Sequence, residues 1–72
     1  MRRYELRERA GKAISVFEAL PESSKASRHY GMAEGIAANL RGTLKTGWPP
    51  IPVLESLTSD LEWRNSKIAA ET

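Results

Sequence analysis

Proline divides this chain. Pro21 and the run Trp48-Pro49-Pro50-Ile51-Pro52 separate three stretches of the 72-residue sequence. The residue before a proline is pushed out of the α region, so a helix stops at each point. Each stretch carries an apolar stripe at helical spacing. The first, over about residues 3–20, has Leu6, Ala10, Ala13, Phe17 and Leu20, with Ile14 beside them. Glu5–Arg9 and Glu8–Lys12 are spaced as i,i+4 ion pairs in the favourable orientation, each adding ~0.2–0.5 kcal/mol. The second, over residues 23–46, begins with Ser23 or Ser24 as N-cap. Tyr30, Ala33, Ala37, Leu40 and Leu44 form its stripe, with Ile36 alongside. Lys45 in the last turn, Gly47 and then Trp48-Pro49 signal a Schellman-type stop, with Trp48 folding back onto the helix. The third, over residues 52–70, takes Pro52 as its first residue, where a missing N–H costs nothing. Leu54, Leu57, Leu61 and Ile68 form its stripe, Arg64 fills the slot before Ile68, and Asp60–Arg64 is another i,i+4 pair. There is no strand signal and no internal repeat. The sequence therefore predicts an all-α domain: an up-down-up three-helix bundle, or a helical hairpin plus a third helix, completed by oligomerisation.

The expectation of a second chain comes from size. One small domain supplies only ~3–5 kcal/mol from its core and usually leans on disulfides, a metal or oligomerisation. There is no cysteine, and His29 is the single histidine, so neither a disulfide nor a closed tetrahedral zinc site can form within one chain. Alanine at stripe positions 10, 13, 33 and 37 buries less area than leucine would. A homodimer or larger symmetric assembly follows as the expected support. No apolar run approaches the ~20 residues that span a bilayer, and no apolar segment follows Arg2 and Arg3 as in a signal peptide. A cytoplasmic location is expected, with no cofactor and no membrane partner.

Charge is distributed unevenly. The net value is +2. Arg2, Arg3, Arg7, Arg9 and Lys12 outnumber Glu5 and Glu8 at the beginning, whereas Glu55, Asp60, Glu62 and Glu71 outnumber Arg64 and Lys67 after Trp48. Antiparallel association, or packing of one end on the other, would use that polarity; a solvated charged surface would not.

No reaction centre emerges. His29, placed within the second helix on the side of Ile36 and Leu40, has only Ser23 and Ser27 near it in sequence. Neither spacing makes a nucleophile elbow, and no oxyanion-hole glycine loop accompanies them. A packed structural histidine is the expectation, with a pH-sensitive contact as the other role.

Two features point to interaction. Gly31, Gly35, Ala38 and Gly42 form a second, small-residue stripe opposite Leu40. Each glycine costs about 1 kcal/mol against alanine in a helix. Close approach of another backbone offsets such a cost, whether from a second chain or partner or from within the bundle; a weak or kinked helix is the third reading. Trp63 lies off the third stripe, as interface anchors often do, and Lys67 four residues on can cover its ring. A tryptophan lying along the bundle edge is the other reading.

A polyanion site is a further candidate. Arg3 and Arg7 share a side of the first helix with Tyr4, giving charge plus a stacking ring for nucleic acid. Lys25 and Arg28, near the start of the second helix, would add an anion site helped by the helix N-terminus. The stretch Leu20-Pro21-Glu22-Ser23, then Ser27, then Glu34, resembles the helix–turn–helix hairpin of phage anti-CBASS sponge proteins, small oligomers that sequester cyclic oligonucleotides. The resemblance covers the first two helices, lacks a Trp-Ala-Asn-type ending, and leaves the third helix outside. It implies nucleotide binding between subunits, with Lys25, Ser27 and Arg28 holding phosphates.

The expected function is that of a small non-catalytic interaction protein, an adaptor or an inhibitor of a larger partner protein such as a phage or other mobile element encodes. Nucleotide sequestration is the alternative, and nucleic-acid binding through the basic first helix the third.

Overall fold

The structure, a computed structural model, describes residues 2–46 and 50–71. It contains α1 (Arg3–Glu18), a 3-10 turn (Glu22–Ala26), α2 (Tyr30–Thr46) and α3 (Ile51–Glu71), with no strand among the described residues. Arg9 reaches Glu62 and Ala13 meets Asn65, so α1 and α3 run in the same direction. Arg7 bonds the Leu44 carbonyl and Phe17 packs on Tyr30 at 5.1 Å, so α2 runs against α1. The expected three-helix bundle is therefore observed, with overall dimensions of 33 × 19 × 16 Å.

The first two helices depart from their expected ends. α1 stops at Glu18, where Ala19 N–H closes the last turn on the Ser15 carbonyl. α2 begins at Tyr30, not near Ser23, and neither Ser23 nor Ser24 caps it. The serines explain the delay, because short hydroxyl side chains offer the backbone local bonds that compete with the helix. Ser24 is buried, and both its N–H and its hydroxyl donate to the Pro21 carbonyl. Ser27 then accepts the His29 N–H on its hydroxyl at 3.1 Å and the Tyr30 N–H on its carbonyl. His29 therefore lies before α2, where its carbonyl accepts the Ala33 N–H of the first turn. The stop expected at Gly47 and the folding back of Trp48 lie outside the described residues. Pro52 is the second residue of α3, one place later than expected; the opening N–H groups of Val53 and Leu54 bond the Pro50 carbonyl.

Leu6, Ala10, Ala13, Ile14 and Phe17 of α1, Ala33, Ile36, Ala37 and Leu40 of α2, and Leu54, Leu61 and Ile68 of α3 form one core. Leu20, Tyr30, Leu44 and Leu57 pack at its edge, half-buried. Two polar residues complete the α3 stripe: Thr58 is 0 % exposed and Asn65 5 %. Leu54, Thr58, Leu61, Asn65 and Ile68 thus recur at spacings of four and three, and Arg64 stands aside from the slot expected for it. Apolar patterning missed Thr58 and Asn65 because polar residues at core positions carry no hydrophobic signal.

Candidate interaction surface

Trp63 is 50 % exposed on the outside of α3, so the expectation of an off-core aromatic holds in the structure. Its surroundings were not legible in the sequence. The His29 ring meets the indole edge-on, with centroids 5.3 Å apart and planes at 87°. Edge-to-face geometry suits the negative ring face and positive ring edge of two aromatics. Lys67 Nζ sits 5.3 Å from the indole centroid, as the spacing predicts, and Arg64 Cζ sits 5.7 Å from it. Both distances lie within cation–π range.

His29 is held from several sides. Arg64 Nη1 approaches its Nδ1 at 3.4 Å, while Glu71 Oε1 lies 3.8 Å from its Nε2. A guanidinium only donates, so the Arg64 contact suits the tautomer in which Nδ1 accepts. Arg64 is itself fixed by Asp60 Oδ1, 3.0 Å from its Nε. The His29 side chain is 12 % exposed, which places it between the packed and the contact roles anticipated for it. Ser27, its nearest hydroxyl in sequence, is engaged by the His29 main-chain N–H and has no nucleophile geometry toward the ring. The indole is thus contacted by one aromatic ring and two cations and is still half exposed.

The other interaction candidates lie elsewhere. Gly31, Gly35, Ala38 and Gly42 all sit on the exposed face of α2. A Cβ placed on any of the three glycines would meet nothing within 4 Å. Packing within the bundle, one of the three readings open to that stripe, is therefore not its role. The anion candidates fall at opposite ends. Arg3 and Arg7 lie at the start of α1, where Arg7 binds the Leu44 carbonyl and Tyr4 is exposed. Lys25, Ser27 and Arg28 lie at the other end, where the 3-10 turn packs against α3. Lys25 pairs with Glu22 at 3.1 Å, which raises its pKa, and Ser27 is used by the turn; Arg28 is exposed.

Between α1 and α3 runs an apolar groove of about 530 Å³. Arg9 and Glu62 close one end with two hydrogen bonds of 2.7 and 2.8 Å. That pair holds the Glu62 carboxyl below, and the Arg9 guanidinium above, their ordinary pKa values. Glu8 and Lys12 form no ion pair among the described residues, so the second of the anticipated i,i+4 pairs in α1 is not closed.

Among the described residues no three His, Cys, Asp or Glu side chains come together to hold a metal, and no helix is long and apolar enough to cross a membrane. Comparison with protein-family models, with curated proteins and with solved structures finds no match to this chain.

Proposed function

We propose that this protein is a non-catalytic helical interaction module, an adaptor or inhibitor acting in the cytoplasm, that docks a partner protein on the Trp63 face. The observation that carries this reading is a half-exposed indole held in place by His29, Arg64 and Lys67. An aromatic side chain already ordered before binding loses little entropy on docking, and tryptophan is enriched among residues that dominate interface energies. Self-association along the exposed Gly31-Gly35-Ala38-Gly42 face is the second part of the proposal, supported by the open space over each glycine.

Capture from the native host, followed by reconstitution with the purified partner, tests the first part. Trp63→Ala should weaken the binary complex roughly thirtyfold or more, as for a 2 kcal/mol hot spot, with the helical circular dichroism unchanged. Equal affinity for wild type and variant would move the interface elsewhere. Titration with oligonucleotides and cyclic nucleotides at two salt concentrations separates the other readings. Tight nucleotide binding lost on Arg28→Ala would favour phosphate sequestration. Salt-sensitive binding of DNA or RNA would favour the basic start of α1. Light scattering tests the second part: a clean monomer at high concentration refutes self-association. A wild-type dimer that Gly35→Leu leaves intact would place the contact off the glycine face.

A further inference from the structure

We propose that the groove between α1 and α3 binds a small amphipathic anion, with an apolar body, one N–H or O–H donor and one acidic group. Three features of the groove carry the proposal, and none of them belongs to the Trp63 face. First, its lining is largely apolar: Ala13 and Val16 from α1, Leu20 just beyond it and Ala69 from α3. Val16 is 47 % exposed although it borders the core helix pair. The volume of about 530 Å³ falls in the range of sites for small organic ligands.

Second, Asn65 forms part of the wall, is 5 % exposed, and has an unmet acceptor. Its Nδ2 donates to the Ala13 carbonyl at 3.0 Å, but its Oδ1 is buried without a donor. A buried acceptor without a donor is costly, and a ligand that supplies one removes the cost. The terminal torsion of asparagine is broad, which allows the side chain to present Oδ1 to a ligand in the groove that Asn65 lines. An N–H or O–H on the ligand is therefore required, and an oxygen acceptor at that point would be repelled.

Third, the rim is positive. Arg9 and Glu62 neutralise one another, and Lys12 on the same rim has no ion-pair partner among the described residues. Its ammonium sets the sign of the acidic group and places it near the Arg9 end of the groove.

Anilinonaphthalene sulfonate has this combination of apolar rings, one N–H and one anion, and serves as the probe with the full chain. Saturable one-to-one binding is expected, with the Asn65 side-chain amide resonances shifting as the site fills. Lys12→Glu should weaken binding about fivefold or more. Val16→Trp, which fills the trough from an exposed position, should abolish it, and Trp63→Ala should leave it unchanged. If Val16→Trp does not fold, Lys12→Glu and the Asn65 resonances decide. Absence of saturable binding, stationary Asn65 resonances, or indifference to Lys12→Glu overturns the proposal. A groove found closed by a second copy in solution, with the probe excluded, overturns it as well.

Discussion

Asn65 of α3 donates its side-chain amide to the main-chain carbonyl of Ala13 in the middle of α1, 3.0 Å away. Both residues are buried, so the bond pins the register of two parallel helices at their shared core. A lone polar residue at a core position of packed helices is a known device for fixing register. Thr58, seven residues earlier in the same stripe, has no comparable bond: its hydroxyl is buried and unpaired.

Thr58→Val therefore should stabilise the fold. The two side chains have nearly the same shape, and burying a hydroxyl without a partner costs roughly 1–3 kcal/mol. A rise of about 1 kcal/mol in urea unfolding, with no change in slope, is expected. A loss of stability would show that the hydroxyl is satisfied in solution.

Glycines on the outer face of α2 should accept a methyl group. No atom lies within 4 Å of a Cβ at Gly35 or Gly42. Alanine there restricts the unfolded chain and favours the helix, so the double variant should gain about 1–2 kcal/mol. Thermal unfolding in dilute solution measures this. A decrease would mean that the stripe is in contact with another chain.

Ala33 sits at 0 % exposure between the helices, and enlarging it should have the opposite effect. Ala33→Leu forces the helices apart or off their rotamers, at a cost of about 1–3 kcal/mol. Urea midpoints of the variant and wild type check this. An unchanged midpoint would indicate a void beside Ala33.

Acid should weaken the clasp between α1 and α3. The hydrogen bonds from Arg9 hold the Glu62 carboxyl below its ordinary value of 4.5. A carboxyl whose folded pKa is depressed contributes stability above the unfolded value and loses it as pH falls through the folded value. The Glu62 side chain is 41 % exposed, so solvent limits the contribution to ~1 kcal/mol or less. Glu62→Gln should therefore be less stable than wild type at neutral pH, and the gap should close as pH falls below 4.5 and through the lowered folded value. A gap that persists in acid would assign the effect to packing.

Much of the architecture was legible before the structure. The three stripes and two proline breaks determined the number of helices, because periodicity and helix termination are local properties of the chain. The off-core position of Trp63 and its Lys67 neighbour were legible for the same reason: both lie on one helix at a spacing of four. The delayed start of α2 was not, since Ser24 and Ser27 compete with the helix through bonds whose outcome depends on how Pro21 sets the turn. Only the packed bundle put His29 against Trp63, 34 positions later in the chain, and joined Arg9 to Glu62. It also decided that Thr58 and Asn65 face inward, and that no other helix covers the glycine stripe. Side-chain identity determines which contacts are favourable, but which long-range partners meet depends on the relative rotation of three helices. No single helix carries that information.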